Sequence, residues 1–134
     1  MLAFLAATAM AGAFTADTAI GEWRSPTKNA IVRISACGNS LCGTLLSSDD
    51  IAKDPGKKDE KNKKPELRNR PLKGITMIWG FKQKGNQWVD GWVYKADEGN
   101  TYSGSITIVD KDHIKLTGCV VAPLCKTQTW TRVK

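Results

Sequence analysis

A chain of 134 residues, 41% hydrophobic and 25% charged, is sized for one domain with one hydrophobic core; this excludes both a multidomain assembly and a wholly disordered protein. Its formal charge of +7 directs attention to an acidic partner or an anionic envelope surface, with plain solubility as the simpler use of the charge. Nucleic acid would be the first reading in a cytosolic protein, but the features below argue for export and against it.

Residues 1–16 carry no charge and consist largely of Ala, Leu, Phe and Met. They read as a secretory signal peptide with a small-x-small site at Ala11-Gly12-Ala13, and cleavage is expected after Ala13 or Ala16. A basic n-region is missing; the competing reading is an apolar first helix of the domain. The run is shorter than the roughly 20 apolar residues of a transmembrane helix. The expectation is a periplasmic or secreted protein, with a single domain over residues 17–134 and no transmembrane segment once mature.

Gly21-Glu22-Trp23-Arg24 reads as a short first strand stopped by Ser25-Pro26. From residue 30 to 36 Ala30, Val32, Ile34 and Ala36 alternate with Arg33 and Ser35, the period of a half-buried strand. Its hairpin partner is expected from Leu41 to Ser47, with Asn39-Ser40 at the tip. That places Cys37 opposite Cys42 in a non-hydrogen-bonded pair, with Cα atoms about 4.5 Å apart, a separation that a disulfide tolerates. Cys119 and Cys125 likewise flank a turn, so local pairing, Cys37–Cys42 and Cys119–Cys125, is favoured among the three connectivities. Each short loop closed is worth roughly 2 kcal/mol. Zinc is the weaker reading, because the gaps of four and five residues differ from the spacing of about two that is usual in zinc ribbons.

Residues 48–73 interrupt the alternation. Between 53 and 70 lie eight basic and four acidic residues, with Pro55 and Pro65 among them and no apolar period. This reads as a long charged surface loop, mobile and dispensable for folding over residues 53–64, and packed down only where Leu67 and Leu72 anchor its end. Strand signals then follow in quick succession. Met77, Trp79 and Phe81 share one parity; Trp88, Trp92 and Tyr94 alternate with Val89 and Val93; Tyr102, Ile106 and Ile108 alternate with serines and threonines; Ile114, Leu116 and Gly118 precede a last strand through Trp130 and Arg132. About eight strands joined mostly by short turns, with no helix after the signal, make a meander that closes into a small antiparallel barrel.

Several ordered motifs carry a resemblance. These are Gly21-x-Trp23; Cys37-Gly38 with Leu41-Cys42-Gly43; Asn62-x-x-Pro65-x-Leu67-Arg68-Asn69-Arg70-Pro71-Leu72-x-Gly74; Trp88-x-x-Gly91-x-x-Tyr94; Gly99-x-Thr101-Tyr102; Gly118-Cys119; and Gln128-x-Trp130-x-Arg132. Together they span essentially the whole mature chain, which resembles the bacterial secreted domain-of-unknown-function family 2147. The resemblance implies an exported, lipocalin-like β-barrel without an established activity. It also implies that Gly21, Trp23 and Arg132 close the barrel, with Arg132 lying over Trp23.

Chemistry is sparsely signalled. The sole histidine, His113, follows Asp112 at a turn, and the paired carboxylates Asp49-Asp50 and Asp59-Glu60 lie in charged loops. Phosphate-binding, dinucleotide and metalloprotease motifs are lacking, so the expectation is a non-enzyme with no cofactor, no metal and no catalytic residue. The aromatics admit two readings, core packing or a lined cavity in the barrel mouth. The ligand-binding candidates are Trp79, Trp88, Trp92, Tyr94 and Tyr102, with Arg70 at the rim for an acidic head group; parity alone leaves open which face of the Trp88–Tyr94 strand points inward. Two functions follow as expectations. One is binding of a small apolar or amphipathic molecule; the other is an inhibitor or envelope partner that presents its basic loop to an acidic protein or surface.

Overall fold

The computed structural model describes residues 15–121 and 123–134; the expected signal segment up to residue 14, with its first cleavage site, lies outside them. Eight strands follow in order: β1 (Gly21–Arg24), β2 (Ile31–Cys37), β3 (Ser40–Ser47), β4 (Thr76–Lys84), β5 (Gln87–Lys95), β6 (Asn100–Asp110), β7 (His113–Val121) and β8 (Leu124–Arg132). Each pairs antiparallel with the next, and β8 returns to β1 through Trp23↔Arg132 and Arg24↔Thr131. The all-β eight-stranded barrel read from the sequence is the observed architecture. Closure satisfies the outer backbone groups of the first and last strands, which an open sheet would leave to water or to another chain.

Alternation places the core where the pattern is regular. Val32 and Ile34 on β2, Ile106 on β6, Ile114 and Leu116 on β7 and Trp130 on β8 are buried inside the barrel. It fails on β4 and β5. Met77, Trp79 and Phe81 do not share a face: the register of β4 on β3 shifts twice, and Gly80 adopts a φ of +75°. Ile78 and Phe81 therefore both turn inward, and Trp79 pairs with Trp92 on the outside. On β5 Asp90, at φ +56°, marks a second irregularity, so Trp88, Gly91 and Val93 face the interior while Trp92 stays 46% exposed. A bulge inserts a residue that a period-two pattern does not announce. Gly91 matters here because a Cβ would fall 2.3 Å from the Phe81 ring.

One end of the barrel is packed solid. A 3-10 turn, Ala16–Ala19, plugs it with both terminal alanines buried. The Trp88 and Trp23 indole N–H groups donate to the carbonyls of Ala16 (2.8 Å) and Ala19 (2.9 Å). The Arg132 guanidinium lies 4.3 Å from the centre of the Trp23 ring and donates to the carbonyls of Lys111, Ile20 and Thr18. Gly21 makes room for it, since a Cβ there would lie 2.4 Å from the Arg132 Nη1.

Both disulfides, Cys37–Cys42 and Cys119–Cys125, are formed. The first hairpin differs in register from the expectation. Its two-residue tip is Gly38-Asn39, so Cys37 faces Ser40 and Cys42 faces Ser35; the bridge runs diagonally, with Cα atoms 5.9 Å apart. Gly38 takes φ +64°, which a glycine at the first tip position adopts without a steric penalty.

The charged stretch is also more structured than its composition suggests. It opens with a short helix α1 (Asp49–Lys53), whose Ser48 cap accepts from the Ile51 N–H at 3.2 Å, and includes a 3-10 turn at Pro65–Leu67. Ile51 and Leu72 anchor it at either end, and Asp59 and Asn62 are buried within it. The expectation of a mobile stretch over residues 53–64 is therefore corrected: a buried carboxylate with directional partners fixes the segment, and charge counts do not reveal that.

Candidate functional site

At the end opposite the plug the barrel holds a cavity of about 540 Å³. Its wall is apolar, built by Leu45, Leu72, Ile75, Met77, Val93 and Leu116. Trp130 forms its floor, and the indole N–H donates to Gln128 Oε1 at 3.1 Å. Gln128 is itself held, its amide donating to Thr27 Oγ1 (2.6 Å) and its Oε1 accepting from Ser25 Oγ (3.3 Å). The space exists partly because Gly118, at the same level, presents no side chain; a Cβ there would meet Tyr102 Cβ at 3.6 Å and the Ser103 carbonyl oxygen at 4.0 Å, both ordinary contacts. An apolar chamber with a small fixed polar group at its floor is the usual makeup of a small-molecule site.

Six lysines and four carboxylates ring the mouth. Lys28 pairs with Asp50, Lys57 with Glu60, and Lys95 with Asp97 and Glu98. Lys58, Lys61 and Lys126 have no carboxylate partner among the described residues. The Tyr102 hydroxyl donates to Glu98, holding that carboxyl below the usual glutamate range and raising the tyrosine's own value.

The strap formed by residues 54–74 is tied to this rim. Asp59, 1% exposed, accepts from the Tyr94 hydroxyl (2.6 Å) through Oδ1, and from Asn62 Nδ2 (2.8 Å), Arg70 Nε (3.0 Å) and Arg70 Nη2 (2.9 Å) through Oδ2. Burial, reinforced by the Asp59 carboxylate, pushes the Tyr94 hydroxyl well above the ordinary tyrosine value. The Lys61 and Lys63 ammonium groups donate to the carbonyls of Asp97 and Glu98 in the β5–β6 turn. Gly99 lets the strap approach: its φ is +76°, and a Cβ would fall 1.9 Å from the Lys61 carbonyl oxygen.

The sequence-derived candidates divide. Tyr102 lines the cavity, and Tyr94 borders both it and a second cleft outside the wall, where Trp79 and Arg70 also lie. Trp88 is instead part of the closed end and Trp92 of the outer surface, so neither lines the cavity. Arg70 is bound to Asp59, with its guanidinium carbon 5.8 Å from the Tyr94 ring centre, and does not line the main cavity. Trp130 is one of the aromatics that the sequence leaves open between core and cavity lining but is not among the ligand-binding candidates; Gln128 and Gly118 carry no ligand signal in the sequence, although all three stand in the motifs quoted above. Asp59 was hidden among its charged neighbours; the Asn62 and Arg70 that hold it were the visible signal. His113 bonds Asp110 through Nδ1 at 2.8 Å in the β6–β7 region, at the plugged end. Among the described residues no three metal-ligating side chains converge, and no helix is long and apolar enough to cross a membrane.

The family model for an uncharacterized protein conserved in bacteria, DUF2147, matches residues 21–132. No curated protein matches the chain. Among solved structures, the chain is similar to protein HP1028 from the human pathogen Helicobacter pylori, which belongs to the lipocalin family; the TM-score is 0.78 and the identity 24%, over 86% of this chain and 82% of that one. At this identity the likeness concerns the fold alone, a lipocalin-like barrel.

Proposed function

This chain belongs to the DUF2147 family, and we propose that it is an exported, non-enzymatic barrel that binds a small apolar or amphipathic molecule in its cavity. The observation that carries this reading is the 540 Å³ chamber with apolar walls, open at one end of an otherwise packed barrel. Such a volume falls within the range of about 300–1,000 Å³ typical of ligand pockets. The Gln128 amide on the floor and the Tyr102 hydroxyl near the rim supply the few polar handles an amphipathic guest requires. Two disulfides, common in oxidising compartments and rare in the cytosol, support a periplasmic or secreted setting. The reading of the chain as an interaction protein draws on its basic strap, but the strap lies against the β5–β6 turn and the barrel interior is open, which favours the ligand.

Tryptophan emission tests this, since Trp130 forms the cavity floor. Titration with fatty acids of increasing chain length and with neutral amphiphiles is expected to shift or quench the emission of the wild type. Gly118→Leu, which fills the chamber from a position free of backbone strain, is expected to abolish the response while leaving the melting transition within a few degrees. A wild type silent to every amphiphile, or a Gly118→Leu variant that responds like wild type, would refute the cavity as the site.

A further inference from the structure

The β7–β8 tip presents Val120, Val121 and Leu124 to solvent at 69%, 62% and 68% exposure. Single exposed aliphatics are ordinary on a protein surface; three large ones on a single hairpin tip form a patch. The tip is not a frayed end, because Cys119 and Cys125 face each other across the two strands and are bridged directly beneath it. The fold thus holds these side chains away from the core.

Val120 and Leu124 also border the cavity mouth, where six lysines outnumber four carboxylates; Lys58 and Lys126 have no carboxylate partner among the described residues, while the Lys61 ammonium is held on the Asp97 carbonyl. Lys126 lies two residues from Leu124 along β8, so an apolar point and a basic rim surround one aperture. A bilayer interface offers the complement of both, since aliphatic side chains enter the acyl boundary while lysines meet anionic head groups.

We propose that the mouth of the barrel docks on an anionic phospholipid surface, with Val120, Val121 and Leu124 inserted and Lys58 and Lys126 against the head groups. Docking in this orientation turns the cavity toward the lipid and leaves the plugged end in water. The proposal rests on the surface alone and stands whether or not the cavity holds a guest. An acidic protein surface would meet the lysines without offering an acyl layer to the three aliphatics, and a second copy would bring together two mouths that are each net basic, with six lysines against four carboxylates.

The test is co-sedimentation of the full chain with vesicles of phosphatidylcholine alone and of phosphatidylcholine mixed equally with phosphatidylglycerol. Binding is expected to be several-fold stronger to the mixed vesicles than to phosphatidylcholine alone, and that difference is expected to shrink as salt rises. A combined Val120→Ser, Val121→Ser, Leu124→Ser variant is expected to lose about tenfold or more in partition, and Lys126→Glu several-fold. Val109→Ser, an exposed aliphatic at the plugged end, is expected to bind like wild type. All variants share the apolar N-terminal run, so differences among them report on the mouth. Circular dichroism and non-reducing mass analysis confirm that each variant is folded and bridged. No binding of the wild type to mixed vesicles overturns the proposal, as does equal binding by the triple-serine and Lys126→Glu variants. So does a wild-type dimer that the triple variant converts to monomer, which would make a second copy the occupant of the patch. Failure of the amphiphile titration with vesicle binding intact would count against the cavity reading alone.

Discussion

Arg132 shows how much one side chain can hold in a small barrel. Its guanidinium stacks on Trp23 and donates to three carbonyls from two separate segments, the N-terminal plug and the β6–β7 turn. Arg132→Ala is expected to destabilise the protein by about 2 kcal/mol or more, against a change within about 0.5 kcal/mol for the exposed Lys115→Ala; urea denaturation measures both. Lysine is expected to restore little of the loss, because an ammonium lacks the planar fork that reaches several acceptors at once. Tyr94 carries a second prediction. Burial raises its hydroxyl first and the Asp59 carboxylate adds to that, so the folded state holds the phenolic proton more tightly than the unfolded chain does. The stabilisation is complete below about pH 10, where an unfolded tyrosine still keeps its proton. Above that it is lost as the pH rises, with a limiting slope of about 1.4 kcal/mol per pH unit. Stability measured from pH 9 to pH 11 is expected to fall more steeply in wild type than in Tyr94→Phe.

At the scale of elements, the strap is the segment whose composition misleads. Eight basic and four acidic residues between positions 53 and 70 suggest a solvated insertion, yet Asp59 is bonded to Tyr94, Asn62 and Arg70, and the strap backbone touches the barrel at Gly99. Removing residues 57–64 is accordingly expected to lower the melting temperature by well over a few degrees. Asp59→Ala alone is expected to cost about 2–3 kcal/mol by leaving a buried hydroxyl without its acceptor, while the adjacent Lys58→Ala costs little. Thermal unfolding of the three variants side by side checks this, and a deletion that melts with wild type would return the strap to the status of a dispensable loop. The strands themselves were largely legible, because one wet face and one dry face leave a period-two signature. β4 and β5 were not, since Gly80 and Asp90 change the facing residue partway along each strand.

For the whole molecule, the plug discriminates between the two cleavage sites that the signal-peptide reading offers. Ala16 is 4% exposed and its carbonyl accepts the Trp88 indole N–H. Cleavage after Ala16 would remove that acceptor and leave a buried donor unpaired, whereas cleavage after Ala13 keeps it. We therefore expect the exported protein to begin at Phe14, and its intact mass decides between the two; a start at Asp17 would show that the barrel closes without Ala16.

What the sequence determined by itself is the part of the protein that repeats or pairs locally. Alternating residues, short turns and cysteines flanking those turns follow from neighbours along the chain, so about eight strands and both bridges are legible in the sequence, while the return of the last strand onto Trp23 is implied there by the family resemblance. The tertiary structure decided what depends on distant residues meeting. Whether Trp88 plugs the base or lines a pocket is set by a bulge and by an alanine carbonyl 72 residues away. Whether the interior is filled depends on Gly118 on one strand and on side chains from the others around the barrel. The burial of Asp59 depends on Tyr94, 35 residues distant, supplying a hydroxyl at the point where the strap crosses the wall. Periodicity registers which face of a strand is dry; it carries no record of which dry residues touch, and a cavity is a place where they do not.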